Sequence, residues 1–242
     1  MIKRLYLDPP GIYFFVDLVK GLSKNSMIRI ALRIRPLLRI NSPTFYPLLT
    51  IDCDHHNMNL GFMVDGSATV ELRGEGNFNK SLEFVANLIA SFDVSDNTTN
   101  PGMVVFSEDP HLVFNFSEHK KSADAMAAVQ MATYPGRGRK TGKALNFVRR
   151  NLFSDSATQN NKPNYLIILA SGASYDLVKT PAKLLREKNV TIFTIGVGED
   201  YDVDELKLIT GDNGTRVYET SFKDLGDLNS KLKKEVCRCK LL

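Results

Sequence analysis

Several features that mark common classes of protein are scarce or absent in this chain. No run of apolar residues reaches the ~18–20 that a membrane-spanning helix needs, so we predict no transmembrane segment. The 242 residues include only four histidines and three cysteines, and these do not form ligand pairs with the spacing of a zinc site. No serine or cysteine stands in a nucleophile–base motif. The lack of zinc-ligand pairs and of a nucleophile–base motif favours a non-enzymatic protein.

Basic charge is concentrated in the first 52 residues, which carry eight Lys or Arg against three Asp. Because the whole chain has a net charge of +4, the remainder lacks the basic surface of a nucleic-acid-binding domain. The segment Met27–Ile40 fits either a poorly ordered leader or a basic amphipathic, membrane-surface segment. Acidic residues and prolines between Asp8 and Asp17 leave no clear signal peptide. We expect a leader at residues 1–52, a main domain at 53–239 and a tail at 240–242.

Apolar strands alternate with helical segments after Asn59. Predicted strands are Leu60–Val64, Gly102–Phe106, His111–Phe116, Tyr165–Leu169, Val190–Val197 and Thr215–Tyr218. Predicted helices are Phe78–Phe92, Ser122–Met131 with a serine cap, Ala144–Leu152, Val178–Glu187 with Pro181 in its first turn or at a kink, Leu206–Ile209 and Phe222–Val236. This alternation predicts an α/β fold with a doubly wound, mostly parallel sheet, helices on both faces, and one antiparallel edge strand at His111–Phe116.

Ligands of such sheets bind beyond the carboxyl ends of the strands. Three loops are expected to meet there: the loop that begins at Asp65, the loop Gly136–Gly142 and the loop that begins at Ala170. We call this edge the rim. The first loop reads Asp65-Gly66-Ser67-Ala68-Thr69, and its carboxylate and two hydroxyls are the oxygen ligands that a hard cation prefers.

Five segments together resemble a von Willebrand factor type A (vWA) domain. They are Gly61–Thr69, Phe78–Phe92, Thr141–Leu145, Asn164–Asp176 and Thr191–Gly198, in the order and spacing of that family. The resemblance covers about residues 57–237 and is strongest to the matrix-protein modules of the cochlin and vitrin, matrilin and type VI collagen families. It implies a Rossmann-like vWA fold and a metal-ion-dependent adhesion site (MIDAS) whose first ligands would be Asp65, Ser67 and Thr69.

Two positions depart from the family's metal site. Arg139 stands where the family has a threonine, and Ser171 stands where it has an aspartate. With one carboxylate left, Mg²⁺ or Mn²⁺ would be held weakly at best, with Thr141 as a substitute hydroxyl. Alternatively, the guanidinium of Arg139 pairs with Asp65 and no metal is needed. We therefore predict a degenerate MIDAS and no firm cofactor.

The cysteines and glycosylation motifs favour a secreted protein. Cys53 precedes the first core strand and Cys237 follows the last helix, where the resembling modules often carry a bridge. A Cys53–Cys237 disulfide would contribute roughly 4–5 kcal/mol, leaving Cys239 odd; the alternative is three reduced thiols. Five Asn-x-Ser/Thr motifs are present. Asn97 and Asn213 are the best candidates, followed by Asn79, Asn189 and Asn115.

A basic cluster lies in the second rim loop: Arg137, Arg139, Lys140 and Lys143. It fits either a solvated loop or a patch for a sulfated glycan or an acidic matrix partner. The sequence of the same stretch is similar to a phosphate-binding loop, but its spacing is one residue short and Ala144 lacks the required hydroxyl.

The function that we predict from this reading is a non-enzymatic, extracellular adhesion or matrix-assembly module. It would bind a matrix protein, collagen-like or other, through the rim. The alternatives are a nucleotide- or cofactor-binding α/β enzyme and an intracellular vWA scaffold.

Overall fold

A computed structural model describes residues 57–159 and 161–237. The predicted leader, Cys53, Cys239 and the tail lie outside these residues, so the division at residue 52 and the Cys53–Cys237 bridge stay predictions.

The described chain has six strands and seven α-helices. The strands are β1 (Met58–Asp65), β2 (Thr99–Phe106), β3 (Pro110–Phe114), β4 (Asn164–Ala170), β5 (Val190–Val197) and β6 (Val217–Thr220). The helices are α1 (Ala68–Leu72), α2 (Asn77–Ala90), α3 (Ser122–Gln130), α4 (Thr141–Asn151), α5 (Lys179–Arg186), α6 (Val203–Thr210) and α7 (Leu228–Val236), the last preceded by a 3₁₀ turn at Leu225–Asp227.

The strands form one sheet in the order β3-β2-β1-β4-β5-β6. All neighbours are parallel except β2 and β3, which are antiparallel. The predicted doubly wound sheet with one antiparallel edge strand is therefore confirmed. Parallel neighbours place the carboxyl ends of β1, β2, β4 and β5 at the same edge, and that edge is the rim.

The central strand β1 is buried along its whole length, because helices cover both faces of the sheet. Leu60, Phe62 and Val64 point to one face and pack in a cluster with α2, α3 and α7. Met63 points to the other face and packs in a cluster with α4, α5 and α6. A Cβ on Gly61 would lie 2.9 Å from the Phe153 ring, so the absent side chain lets the segment after α4 approach the sheet closely.

Two local predictions were wrong, and one helix was missed. Ser122 does not cap α3: the cap residue is Lys121, no side chain caps the helix, and the Ser122 hydroxyl donates to the Phe92 carbonyl at 3.2 Å. The last helix begins at Leu228 rather than Phe222 because the turn before it is 3₁₀. Helix α1 was not predicted, since five residues are too few for a periodic pattern. By contrast, Pro181 does lie in the first turn of α5.

Candidate functional site

The three rim loops are in direct contact. Ser67 and Arg137 form an isolated parallel β-bridge, and the Ala68 amide donates to the Arg137 carbonyl at 2.8 Å. The Tyr175 amide donates to the Arg139 carbonyl at 2.9 Å. The expectation that loops from distant parts of the chain meet at the carboxyl edge therefore agrees with the contacts in the structure.

Asp65 ends β1 with its carboxylate buried; the residue is 3% exposed. Oδ1 accepts the Ser67 amide at 2.8 Å. Oδ2 accepts both the amide and the hydroxyl of Ser171, at 2.9 and 2.6 Å. Ser171 thus uses its hydroxyl as a donor to Asp65, where a carboxylate at the same position would have repelled it. These three hydrogen bonds stabilise the single buried charge of Asp65.

The guanidinium of Arg139 lies among the side chains predicted to hold a metal. Its Nη1 donates to Thr69 Oγ1 at 2.6 Å and to Ser67 Oγ at 3.0 Å. The same nitrogen is 3.6 Å from Asp65 Oδ2, while Nε donates to the Ala173 carbonyl at 2.9 Å. Arg139 is 5% exposed. A buried protein cation therefore faces Asp65, Ser67 and Thr69.

Gly172 provides the space for this guanidinium. A Cβ at Gly172 would lie 2.3 Å from Arg139 Nη2, a distance that real side chains do not tolerate. On the other side, the ring centroid of Tyr175 is 5.8 Å from Arg139 Cζ, within the range of a cation–π contact. The arginine is thus enclosed by the loop after β4.

The donor set does not fit a divalent cation. Such an ion needs several oxygen ligands and at least partial charge neutralisation. Here one carboxylate is present, its oxygens are already hydrogen-bonded, and a guanidinium lies beside it. The hydroxyl of Thr141, the predicted substitute ligand, is buried and has no hydrogen-bond partner among the described residues, so no hydrogen bond joins it to Asp65, Ser67 or Thr69.

Three of the four residues in the predicted basic cluster are buried or paired with an acidic residue, which favours the solvated-loop reading over the partner-binding patch. Arg139 is buried in the site. Lys140 pairs with Glu108 at 3.0 Å and Lys143 pairs with Asp109 at 2.5 Å. The hydrogen bond from Lys143 lowers the pKa of Asp109, which marks the pair as attractive. Arg137 alone of the four is exposed without an ion pair in the part of the chain that the structure describes.

A carboxylate already occupies the N-terminus of α4, where a phosphate-binding loop would hold its anion. Asp176 accepts the Gly142 and Lys143 amides at 2.7 and 2.8 Å, and it accepts the Ser174 hydroxyl at 2.7 Å. This arrangement weighs against the nucleotide-binding alternative. The sequence contained no signal for it because Asp176 is remote from α4 along the chain.

Four exposed apolar side chains lie in segments on or next to the rim. Leu72 at the end of α1 is 80% exposed, and Met131 before the second rim loop is 82% exposed. Tyr175 and Leu177, in the loop after β4, are 71% and 88% exposed. Exposed apolar residues mark an interaction surface when they form one patch, and Tyr175 and Leu177 lie in the same loop. The sequence analysis missed them because single apolar residues in loops are common.

Glu205 in α6 contacts the third rim loop. Its carboxylate accepts the Ser174 amide at 3.1 Å. Burial raises the pKa of Glu205, Asp202 and Asp176 raise it further, and the Ser174 hydrogen bond and Arg139 oppose the rise. The Glu205 carboxyl therefore holds its proton more tightly in the folded protein than in the unfolded chain. The free energy of unfolding must fall as the pH rises above 4.5, the ordinary pKa of a glutamate.

Glu205→Gln removes this titration. We expect the variant to lose less stability than the parent protein between pH 4.5 and about pH 7, since only the parent must ionise a partly buried group. Urea denaturation midpoints across that range measure the difference. Glu199→Gln, in the loop after β5, is the control, and parallel pH profiles for Glu205→Gln and the parent would refute the assignment.

Four of the five glycosylation motifs have exposed asparagines: Asn79, Asn97, Asn189 and Asn213. Asn115 is half-buried and its side chain accepts the amide and hydroxyl of Ser117, so it is the least suited to carry a glycan. Glycosylation of these sites stays a prediction. Cys237 is buried in the core cluster beside α7, consistent with a position that would accommodate its predicted bridge.

A doubly wound sheet that carries Asp-x-Ser-x-Thr at the carboxyl end of its central strand defines a protein of the vWA class. A family model for the von Willebrand factor type A domain matches residues 59–231, and the chain belongs to this family.

Similar proteins support the same assignment. Cochlin from Cavia porcellus is 30% identical over 204 residues, which cover 79% of this chain and 36% of cochlin. The collagen alpha-4(VI) chain from Mus musculus is 29% identical over 186 residues, covering 77% of this chain and 8% of the collagen chain. This chain thus spans well under half the length of either relative.

Solved structures share the fold. Proximal thread matrix protein 1 from the mussel byssus superposes with a TM-score of 0.71 at 23% identity, covering 77% of this chain and 47% of the mussel chain. Another structure of that mussel protein has its MIDAS motif occupied by zinc.

No helix in the described residues of the present chain is long and apolar enough to cross a membrane.

Proposed function

We propose that this domain is a non-enzymatic, extracellular adhesion module that binds a matrix protein through the rim without a metal ion. The observation that carries the proposal is the position of Arg139, whose Nη1 donates to Ser67 and Thr69 and lies 3.6 Å from Asp65. The guanidinium of Arg139 connects the three rim loops there. A bound metal ion would otherwise make that connection.

Charge balance supports the metal-free reading. A divalent ion between two carboxylates is neutral overall, and so is one arginine beside one aspartate. Arg139 replaces the double positive charge of the ion with a single one. Ser171 removes one of the two carboxylates, so the site stays neutral. A change at either position alone would leave an uncompensated buried charge, which is strongly destabilising.

The grouped apolar side chains support the rim as the contact surface. Tyr175 and Leu177 project from the loop that encloses Arg139, so a partner that covers them also covers the site. Aromatic and aliphatic anchors at the centre of an interface supply much of its binding energy. The names of two similar proteins, a collagen chain and a thread matrix protein, favour a matrix protein as the partner and an extracellular location.

The non-enzymatic part of the proposal is supported by the hydrogen bonding of the rim. The Ser171 hydroxyl donates to the buried Asp65 carboxylate, and no histidine in the described residues is hydrogen-bonded to it. His119 packs edge-on against Phe114, and His111 lies in β3. Neither histidine has a hydrogen bond to a serine in the described residues.

Binding to immobilised type I and type VI collagen, measured by biolayer interferometry, tests the proposal. We expect binding that is equal in EDTA and in Mg²⁺. Tyr175→Ala/Leu177→Ala should weaken it about tenfold because truncating central apolar anchors typically costs more than ~1 kcal/mol.

The matched control is Leu184→Ala/Leu208→Ala, which removes two exposed leucines from α5 and α6, away from the rim. Loss of binding in EDTA would contradict the metal-free site. Equal binding by the two double variants would contradict the rim as the contact surface, and an absence of collagen binding by the parent protein would contradict a collagen-like partner.

A further inference from the structure

The five glycosylation motifs differ in their third residue. Three of them end in threonine: Asn97-Thr98-Thr99, Asn189-Val190-Thr191 and Asn213-Gly214-Thr215. The motifs at Asn79 and Asn115 end in serine. The transferase of the secretory pathway uses the threonine motif more efficiently, because the extra methyl group adds an apolar contact with the enzyme. The three threonine motifs are therefore the strongest acceptors of an N-linked glycan in the chain.

Two of the threonine motifs lie where a parallel strand begins. Asn97 is two residues before β2, and Asn189 is directly before β5. Because β1, β2, β4 and β5 run parallel, they begin at one edge of the sheet, which we call the amino edge. Strand β5 has eight residues, and at ~3.3 Å per residue it separates the amino edge from the rim by about 25 Å.

The third threonine motif is close to the same edge. Asn213 lies in the turn between α6 and β6. Arg186, three residues before Asn189, donates from Nη1 to the Ile209 carbonyl at 2.6 Å at the end of α6. This hydrogen bond joins the segment that carries Asn189 to the segment that carries Asn213. The three threonine motifs thus share the end of the domain opposite the rim.

The fold leaves all three threonine-motif asparagines accessible. Asn97, Asn189 and Asn213 are exposed, and their side chains make no hydrogen bond within residues 57–159 and 161–237. Asn189 has a φ of 58°, in the left-handed turn that follows α5. A glycan is bulky and hydrophilic, so a folded domain accommodates it where the asparagine faces water. Asn115, by contrast, is half-buried and bonded to Ser117.

We propose that N-linked glycans at Asn97, Asn189 and Asn213 cover the amino edge and leave the rim bare. In the reaction, the asparagine Nδ2 forms a bond to the anomeric carbon of an oligosaccharide carried on a lipid diphosphate. The bond from that carbon to the diphosphate oxygen breaks, the lipid diphosphate leaves with the electron pair, and Nδ2 gives up one proton to the transferase.

The glycans exclude the amino edge from protein contacts, because burying them would strip water from many hydroxyl groups. A matrix partner is thereby directed to the rim. The inference rests on the proposed function, since the transfer requires that the chain enter the secretory pathway.

Site occupancy in the full chain, expressed in mammalian cells behind an added secretion signal, tests the inference. Peptide N-glycosidase F in heavy-oxygen water labels each asparagine that carried a glycan, and peptide mass spectrometry gives the occupied fraction. We expect glycans on most copies at Asn97, Asn189 and Asn213, and on a minority of copies at Asn79 and Asn115. A chain that is retained is recovered from the cell membranes and measured in the same way.

Single substitutions check each assignment by intact mass. Asn97→Gln, Asn189→Gln and Asn213→Gln should each remove the mass of one glycan. Asn151→Gln changes an exposed asparagine of α4 that is outside any motif, and it should remove none.

Two results would overturn the inference. An unoccupied Asn97, Asn189 or Asn213 would leave the amino edge open to protein contacts. Equal occupancy at Asn79 would place a glycan beside the rim, because the Glu71 carboxylate accepts the Gly76 and Phe78 amides and so ties the start of α2 to α1. Occupancy is measured without any partner, so failure here is distinguishable from a failure of collagen binding at the rim.

Discussion

Arg139→Thr combined with Ser171→Asp is expected to convert the rim into a metal site. The first change removes the guanidinium and supplies a hydroxyl, and the second adds a carboxylate opposite Asp65. Oxygen donors from positions 65, 67, 69, 139 and 171 would then surround the space that Arg139 fills, and Mn²⁺ prefers such oxygen ligands. We expect the double variant to bind Mn²⁺ at least about 100-fold more tightly than the parent chain, a difference of roughly 2.7 kcal/mol.

Isothermal titration calorimetry with MnCl₂ measures this difference. Adding Asp65→Ala to the double variant is the control, because a genuine site must lose its binding heat with its first carboxylate. Ser171→Asp alone should bind no Mn²⁺, since its new carboxylate would pair with the retained Arg139. An absence of Asp65-dependent heat in the double variant would refute the inference that only these two residues separate the rim from a metal site.

Arg139→Met is expected to destabilise the domain by about 3 kcal/mol. The substitution keeps much of the side-chain volume but leaves Asp65 buried without its cation, and breaking a buried pair from one side typically costs 3–5 kcal/mol. The hydrogen bonds that Asp65 accepts from Ser67 and Ser171 keep the expected loss at the low end of that range. Urea denaturation gives the free energy of unfolding.

The pairing is isolated by a double-mutant cycle. Asp65→Asn/Arg139→Met should recover part of the loss, because the unpaired charge is then removed. Arg150→Met, on the exposed face of α4, is the matched control and should change stability by less than about 0.5 kcal/mol. A loss below about 1 kcal/mol for Arg139→Met would mean that Arg139 does not stabilise Asp65 and that the metal-free account of the rim is wrong.

Much of the fold could be predicted because its signals are local. The apolar run of β5, Val190–Val197, coincides with the observed strand, and the helical periodicity of Phe78–Phe92 lies within two residues of α2. One prediction failed because of a contact with a residue elsewhere in the chain. The Ser122 hydroxyl bonds to Phe92 instead of capping α3, and nothing near Ser122 in sequence indicates that contact.

The candidate site was likewise predictable only in part from the sequence. Asp65, Ser67 and Thr69 were identified from one loop, and the departures at Arg139 and Ser171 were visible from the family resemblance. Their structural consequence was not visible, because both a weak metal site and an Arg139–Asp65 pair were compatible with those residue types. The contacts of Nη1 with Ser67 and Thr69 favour the second, and they depend on the space left by Gly172.

By itself, the sequence determined the order of the strands and of most helices and the carboxylate at the end of β1, because these are properties of residue type and periodicity. The loss of the second carboxylate followed from the resemblance to the vWA family. Tertiary structure alone decided which charges are paired. It buried Arg139 and matched Lys140 and Lys143 with Glu108 and Asp109, and it left Arg137, Tyr175 and Leu177 facing solvent. The reason is physical: the strength of a charge pair depends on distance and burial, and both are set by segments that are far apart along the chain.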